Sequence, residues 1–321
     1  MHKVLIVTRT FGKYSNEPIE LLKNKGFEIF KGDNIDSLEG FDALIVGTNK
    51  VTRNMLENSS IKIIAKHGVG VDNIDLKAAT QLGIPVTITL GANSSSVAEL
   101  TIAYIFTLSR NLINVHKELF ENRVWGSHIG IEIAGKILGI IGFGSIGREV
   151  AKRAVCLGMK VLIYDPYVHK EQIEKFDVKM VDLETVLKES DFVSLHVPLV
   201  DETRKMIGEK ELNLMKPSAF LINTSRGGLV DELALANALK SKKIAGAALD
   251  VFENEPLKDS PLFECENVIM TPHIGAHTFE AIYKMNMMAA KSIIEFFEGQ
   301  IPENVVNKEV IEILKKNGFK K

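Results

Sequence analysis

Three side chains in the last third of the sequence have types suited to chemistry on a carbonyl group: Arg226, Glu255 and His273. Histidine titrates close to neutral pH, which suits it to proton transfer. Arginine presents a planar fork that can bind two oxygens of a substrate together, such as those of a carboxylate. A glutamate placed against the imidazole would favour the imidazolium ion. The set therefore suits a reaction in which an anionic substrate is held and a proton moves to or from a carbonyl oxygen.

Each of the three also has a structural alternative. Arg226 would serve as a surface charge at a helix end, Glu255 as one acid of a solvated "ENEP" turn, and His273 as a donor to the backbone. Their positions argue for chemistry, because they follow the predicted strands "AFLIN", "IAGAALD" and "NVIMT". His196 and Pro198 follow a fourth, "DFVSL". Doubly wound sheets bind ligands beyond the carboxyl ends of their strands, so we expect one shared rim.

Gly142, Gly144 and Gly147 have G-x-G-x-x-G spacing between a predicted strand, "KILGIIG", and a predicted helix. In that context the glycines allow a tight turn and leave helix amides facing a pyrophosphate. Asp165 ends the next predicted strand, where a carboxylate would accept hydrogen bonds from ribose hydroxyls and repel a 2′-phosphate. The pattern favours NAD over NADP. The alternative is a glycine turn that packs tightly and binds no ligand.

Short β-branched runs alternate with amphipathic stretches through residues 3–89 and again through 136–271, which indicates βαβ units and parallel sheets. Gly26 and Gly83 stand where helix C-caps are expected. Residues 93–120 predict one long, buried helix that begins with a capping box of Ser96 and Glu99.

A chain of 321 residues is long for a single core and suggests two domains. We predict an α/β protein with two doubly wound parallel-sheet domains. A Rossmann nucleotide-binding domain, 96–287, is inserted into a smaller, flavodoxin-like substrate domain made of 1–95 and 288–321. The charged carboxyl-terminal segment is expected to be partly frayed.

Composition excludes several classes of partner. The net charge of −2 gives no reason to expect nucleic acid or an anionic membrane. Cys156 and Cys265 are too few for a disulfide framework and lack metal-ligand spacing, so no metal site is expected and a reducing compartment is favoured. The amino-terminal apolar run is too short for a signal sequence or membrane span. We expect a cytoplasmic protein.

Six ordered segments resemble the D-isomer-specific 2-hydroxyacid dehydrogenases, most closely the phosphoglycerate dehydrogenase branch: "GVGVDNIDLKAAT", "NSSSVAELT", "GFGSIGREVAKRA", "LINTSRGGLVDE", "GAALDVFENEP" and "TPHIGAHT". The resemblance implies a nucleotide domain inserted into a split substrate domain, catalysis in the cleft between them and a homodimer formed through the nucleotide domains. It makes Arg226 the substrate anchor, Glu255 the partner of the histidine and His273 the proton donor and acceptor.

The same motifs imply further binding residues. Backbone groups of Val69 and Gly70 would bind the substrate carboxylate. Besides the three glycines, the residues expected to line NAD are Ser145, Ile146, Asp165, His196, Val197, Pro198, Thr224, Ser225, Asp250, Gly275 and Ala276.

The resemblance makes a 3-phosphoglycerate dehydrogenase-like activity our first expectation, with NAD-dependent hydride transfer between a 2-hydroxy acid and its 2-oxo acid. A phosphorylated substrate needs cations, and the loop "GTNK" lacks the arginine that the resembling sequences usually carry. Lys50 and Lys66, with Arg53 as a further possibility, would have to supply the charge. One alternative is a reductase of glyoxylate, hydroxypyruvate or another 2-oxo acid. Another, from a different class, is an NAD-responsive binding protein such as a corepressor, which would have no need for the Arg-Glu-His set.

Overall fold

The computed structural model describes residues 1–320. In chain order, its strands are β1 (His2–Val7), β2 (Phe27–Lys31), β3 (Ala43–Val46), β4 (Ile63–Lys66), β5 (Val86–Thr87), β6 (Ile137–Ile141), β7 (Lys160–Tyr164), β8 (Lys179–Met180), β9 (Phe192–Leu195), β10 (Phe220–Asn223), β11 (Gly246–Leu249) and β12 (Val268–Met270). Its α-helices are α1 (Glu17–Asn24), α2 (Arg53–Glu57), α3 (Leu76–Gln81), α4 (Ser94–Arg110), α5 (Leu112–Phe120), α6 (Ser145–Cys156), α7 (Leu183–Glu189), α8 (Glu209–Leu214), α9 (Glu232–Lys240), α10 (Phe279–Phe297) and α11 (Val310–Lys316).

The chain divides into two compact units. The first joins Met1–Asn93 to the segment that starts at His277, and the second is Ser94–Ala276. We expected the return to the first domain at residue 288, but it lies at His277. The reason is that the whole of α10 belongs to the first domain, where its apolar side chains share a hydrophobic cluster with β1. The members of this cluster include Val4, Ile6, Ala289, Ala290 and Ile293.

The first domain contains a five-stranded parallel sheet in the order β2-β1-β3-β4-β5. This is the flavodoxin-like order of a doubly wound sheet. All four residues of β3 are buried, as expected for a strand covered on both faces. Gly26 and Gly83, with φ of 82° and 72°, follow α1 and α3 in the left-handed conformation, which confirms the predicted helix ends.

The second domain contains a seven-stranded parallel sheet in the order β12-β11-β10-β9-β6-β7-β8. Strand order reverses between β6 and β9, which is the Rossmann arrangement, with its ligand edge at the carboxyl ends of these strands. The predicted fold class is therefore confirmed. We did not predict β8, because its two residues, Lys179–Met180, form no apolar run.

The predicted helix over residues 93–120 is wrong in two respects. It is broken at Asn111, whose φ of 51° is left-handed, a conformation that asparagine tolerates better than most residues. The second piece, α5, contains no buried residue. The predicted capping box is also absent, because α4 already begins at Ser94. Ser96 instead donates a hydrogen bond to the carbonyl oxygen of Gly275 at 2.6 Å.

The carboxyl-terminal segment is more ordered than we expected. Val310 and Leu314 of α11 are buried in the core of the first domain. The backbone N–H of Ile301 also donates to the carbonyl oxygen of Lys320 at 2.7 Å. Over residues 1–320, no helix combines the length and the apolar character that crossing a bilayer requires.

Candidate active site

The three glycines of the turn after β6 do not all have the same explanation: some are required by packing and one borders space for a ligand. A Cβ on Gly142, whose φ is 97°, would lie 2.6 Å from the carbonyl carbon of His196, and one on Gly147 would lie 2.2 Å from the carbonyl oxygen of Gly142. A Cβ on Gly144 would meet no atom of residues 1–320 within 4 Å, apart from those of its chain neighbours. Tight packing explains two of the glycines, whereas Gly144 borders open space at the start of α6. That space is where a pyrophosphate would meet the helix amides.

Asp165 lies beside this turn. Its Oδ2 accepts a hydrogen bond from the backbone N–H of Phe143 at 2.8 Å, and its Oδ1 accepts one from Tyr167 at 2.9 Å. Each oxygen keeps a lone pair for a further donor such as a ribose hydroxyl. The geometry therefore fits the adenosine ribose of an unphosphorylated dinucleotide.

The loops after β9 and β10 are joined at the same edge. Ser225 donates a hydrogen bond from Oγ to the carbonyl oxygen of Val197 at 2.6 Å. His196 Nε2 lies 2.9 Å from Ser194 Oγ, and its Nδ1 is buried with no partner among residues 1–320. Burial lowers the pKa of His196 to about 3, so the ring is neutral. Its orphaned nitrogen is consistent with a ligand beside this loop.

The turn that carries Arg226 is held from both sides. The buried Asn223, at the end of β10, accepts a hydrogen bond from the backbone N–H of Ser225 at 3.1 Å and donates one to the carbonyl oxygen of Arg226 at 2.8 Å. Gly227 lies against the chain after β11, because its Cβ would be 1.8 Å from the carbonyl carbon of Phe252. The sequence analysis did not identify Asn223, although a polar residue that ends an apolar strand is a usable signal.

His273 and Glu255 form a direct pair. Nδ1 of the histidine lies 2.7 Å from Oε2 of the glutamate. Burial by itself would raise the pKa of Glu255, but the hydrogen bond and charge of His273, the amide of Phe252 and the charge of Arg226 together leave the pKa below its ordinary value. The carboxylate is therefore ionised at neutral pH. The structure thus pairs two of the three residues that the sequence singled out, and the charge of the third, Arg226, acts on the same carboxylate.

Asp250 organises the loop on which His273 lies. It is 1% exposed, and its carboxylate accepts hydrogen bonds from the backbone N–H groups of Ile274 at 2.8 Å and Gly275 at 2.7 Å. Its carbonyl oxygen accepts the N–H of His273 at 2.8 Å. We predicted Asp250 from resemblance as a dinucleotide residue, which stays a prediction. Its contacts with the loop are the part that the sequence analysis missed.

In the first domain, Val69 and Gly70 lie in the loop after β4. The neighbouring Gly68 is fixed by Thr89, whose Oγ1 accepts its N–H at 3.0 Å and whose own N–H donates to Gly68 at 3.0 Å. Among residues 1–320, none accepts a hydrogen bond from the backbone N–H of Val69 or Gly70. These two amides are thus suited to an anionic ligand.

The predicted substrate cations occupy different environments. Lys66 is 5% exposed, and its Nζ donates to the carbonyl oxygen of Gly47 and to Asn73 Oδ1, the latter at 2.8 Å. It ties the loop after β3 to the loop after β4. Lys50 is exposed. Arg53 donates to Glu57 and Gln81 at 3.1 and 2.7 Å on the surface of α2 and α3.

A Rossmann sheet whose ligand edge carries an arginine, a glutamate and a histidine defines a dinucleotide-dependent oxidoreductase. Comparison with known proteins makes this more specific. The model of the family described as "D-isomer specific 2-hydroxyacid dehydrogenase, NAD binding domain" matches residues 102–275. The chain belongs to this family. It is an NAD-dependent oxidoreductase that acts on 2-hydroxy or 2-oxo acids.

Two similar relatives carry different names. A glyoxylate reductase of Thermococcus litoralis is 46% identical, over 88% of this chain and 88% of that protein. A D-3-phosphoglycerate dehydrogenase of Methanocaldococcus jannaschii is 45% identical, over 86% of this chain but 54% of that protein, so the match spans about half of its length. Among solved structures, a D-lactate dehydrogenase from Aquifex aeolicus complexed with NAD and lactic acid superposes with a TM-score of 0.84 at 30% identity, covering 97% of this chain and 98% of that one.

Proposed function

We propose that Arg226, Glu255 and His273 catalyse the interconversion of a short 2-hydroxy acid and its 2-oxo acid. The observation that carries this proposal is the 2.7 Å contact between His273 Nδ1 and Glu255 Oε2. It commits one ring nitrogen to the carboxylate and leaves Nε2 for proton exchange with substrate. NAD supplies or accepts the hydride when it is bound.

The proton chemistry follows from this arrangement. In reduction, Nε2–H of His273 protonates the oxygen of the substrate as negative charge develops on it, and in oxidation Nε2 takes the hydroxyl proton. Glu255 stabilises the imidazolium ion and fixes the ring. Arg226 binds the carboxylate and carbonyl oxygens through its planar fork. On the basis of the family motifs, we propose that the backbone amides of Val69 and Gly70 bind the substrate carboxylate.

We further propose that the preferred substrate is unphosphorylated, with glyoxylate and hydroxypyruvate as the first choices. The position of Lys66 supports this, because its ammonium group is buried and already donates to Gly47 and Asn73. The loop from Gly47 to Lys50 contains no arginine. A phosphate group would have to draw mainly on Lys50, and a single exposed lysine is a weak anchor.

Phosphoglycerate oxidation is the second candidate, favoured by the phosphoglycerate dehydrogenase relatives. The two substrates are separated by comparing kcat/KM for hydroxypyruvate with kcat/KM for 3-phosphohydroxypyruvate, followed through NADH absorbance. We expect the unphosphorylated acid to be favoured. A clear preference for the phosphorylated acid, lost in Lys50→Met, would overturn our choice and support the second candidate.

The catalytic assignment is tested with His273→Ala. Turnover should fall by about 100-fold or more, which is the scale of general acid–base catalysis, while NADH binding measured by fluorescence titration stays close to that of the wild type. If the variant keeps wild-type turnover on every 2-oxo acid that the wild type reduces, the assignment is wrong.

We also propose that the protein is a cytoplasmic homodimer formed through the nucleotide domain. Large apolar side chains are exposed along α5 and the segment after it: Leu112, Leu119 and Phe120 are 50%, 48% and 63% exposed, and Trp125 and Ile129 are 90% and 98% exposed. Such a concentration marks a contact surface. Sedimentation of the wild type and of Trp125→Glu/Ile129→Glu tests it, with a dimer and a monomer as the expected results. A monomeric wild type would overturn the proposal.

A further inference from the structure

A chain of buried hydroxyl groups leads from α4 to Asp250. The phenol of Tyr104, which is 4% exposed, hydrogen-bonds Thr271 Oγ1, and this hydroxyl hydrogen-bonds Asp250 Oδ1. Tyr104 is a polar residue in an otherwise apolar stretch of the helix. Neither Tyr104 nor Thr271 has a part in the catalytic set proposed above.

The direction of these hydrogen bonds follows from proton counting. A carboxylate only accepts, so the single hydroxyl proton of Thr271 points at Asp250. The Thr271 oxygen is then left as an acceptor, and Tyr104 must be the donor. Burial raises the pKa of Tyr104, so the phenol keeps its proton at any working pH. Both hydroxyls therefore have a defined orientation, with no alternative donor or acceptor role.

The end of this chain is the residue that shapes the His273 loop. Asp250 Oδ1 accepts from Ile274 as well as from Thr271, and its Oδ2 accepts from Gly275. His273 has a φ of 53°, in the left-handed region that is unfavourable for a residue with a side chain. The loop keeps this conformation because the Asp250 carboxylate holds the two amides that follow His273, those of Ile274 and Gly275. A different side-chain rotamer of Asp250 would release them.

We propose that Tyr104 is a positioning residue for the acid–base step: through Thr271 it fixes the Asp250 carboxylate, and through Asp250 it fixes the loop that presents His273 to Glu255. The inference rests on the proposed catalytic role of His273. Tyr104 touches neither substrate nor reacting atoms in this scheme. Its effect is on the geometry of the proton donor.

The first test is Tyr104→Phe, which removes the hydroxyl and keeps the ring. We expect kcat to fall about tenfold, the equivalent of one hydrogen bond of loop positioning, with KM for NADH changed by less than about twofold. Because the histidine would pair less well with Glu255, the alkaline limb of the pH profile of kcat/KM for reduction should move towards lower pH. Ser109→Ala is the matched control, since within the described part of the chain that buried hydroxyl of α4 bonds only to the carbonyl oxygen of Ile105 in its own helix, at 2.5 Å. It should leave both kcat and the profile unchanged.

The second test is a double-mutant cycle with Thr271→Val. If Tyr104 acts through Thr271, Tyr104→Phe should lower kcat in the wild type but have little further effect in the Thr271→Val background. Multiplicative effects would overturn the proposal. So would a Tyr104→Phe variant that melts at a lower temperature but shows wild-type kcat and pH profile below its melting range, because its role would then be structural.

Kinetic assays of the His273→Ala and Tyr104→Phe variants, made side by side, distinguish a failure of this inference from a failure of the proposed function. If His273→Ala is inactive while Tyr104→Phe matches the wild type, only the positioning role fails. If His273→Ala keeps wild-type turnover, the catalytic assignment fails, and the positioning role fails with it.

Discussion

Gly227 lies so close to Phe252 that a Cβ on the glycine would be 1.8 Å from the carbonyl carbon and 2.1 Å from the carbonyl oxygen of the phenylalanine. The obstacle is main chain, which cannot rotate away as a side chain does. This contact joins the turn that carries Arg226 to the segment that leads to Glu255. The spacing of Arg226 and Glu255, two of the residues that we propose as catalytic, thus depends on the absence of a methyl group at residue 227.

Gly227→Ala should therefore damage both stability and activity. We expect a loss of about 2–3 kcal/mol in the free energy of unfolding, typical of an overpacked site, and a fall in kcat/KM larger than the fall in NADH affinity. Urea unfolding and NADH titration measure the two effects. Gly228→Ala is the matched control, because the nearest atoms to its Cβ would be side-chain atoms: carbons of Leu199 at 3.0 and 3.2 Å and a guanidinium nitrogen of Arg204 at 3.7 Å. Equal effects of the two substitutions would contradict this reading of the contact.

Gly144→Ala should mainly weaken NADH binding, whereas Gly147→Ala should mainly reduce the stability of the fold. A Cβ at residue 144 meets nothing within 4 Å, whereas one at residue 147 would be 2.2 Å from the carbonyl oxygen of Gly142. The methyl group at residue 144 would occupy the space in which the pyrophosphate approaches the backbone. We expect it to weaken NADH binding about tenfold or more with little change in melting temperature. Gly147→Ala should mainly destabilise the fold. Unchanged NADH affinity in Gly144→Ala would place the pyrophosphate elsewhere.

Glu255→Gln tests the pairing with His273. The pKa of Glu255 is lowered from 4.5 in the folded protein, despite the opposing effect of burial. The Glu255–His273 pair therefore stabilises the fold fully above pH 4.5, and this stabilisation is lost as the pH falls through the lower pKa of the folded state. The amide variant cannot favour the imidazolium ion, and kcat for reduction should fall about 10- to 100-fold at neutral pH. In the pH profile of kcat for reduction, the alkaline limb of this variant should shift towards lower pH. Rates at several pH values measure both, and an unshifted profile would leave Glu255 with a purely orienting role.

The sequence was sufficient to predict structure where a local pattern of residue types has a single physical explanation. Continuous apolar runs marked strands covered on both faces, and a glycine triplet marked the tight turn between β6 and α6. It was insufficient where the outcome depends on distant partners. The left-handed Asn111 breaks an apolar stretch that has ordinary helical periodicity, and the apolar face of α5 is exposed although its composition resembles that of a core helix. For Asp250, the sequence does not show that two amides and a hydroxyl of the chain itself bind the carboxylate, whereas its predicted contact with NAD stays a prediction.

The same limit applies to Lys66. It was a candidate for binding substrate phosphate because it stands just before "GVGVDN", where arginine is common in the resembling sequences. In the fold, the carbonyl oxygen of Gly47 and the side chain of Asn73 surround its ammonium group. Both partners lie in sequence segments that no local pattern connects to Lys66.

His67 should make the stability of the first domain sensitive to acid. Burial, opposed by the hydrogen bond from Nε2 to Asn286 Oδ1 and assisted by the nearby charges of Lys66 and His277, lowers the pKa of His67 from 6.5 to about 4. Between these values the unfolded chain binds a proton that the folded chain does not, so stability falls as the pH is lowered from 6.5 towards 4. At about pH 5 the loss of unfolding free energy from this histidine should be about 2 kcal/mol.

His67→Gln keeps a donor for Asn286 but cannot titrate, and its unfolding free energy should therefore depend less on pH. His169→Gln, a change at an exposed histidine, is the control and should follow the wild-type curve in urea unfolding at about pH 5, 6 and 7. Identical slopes for His67→Gln and the wild type would show that the buried imidazole does not carry the acid sensitivity.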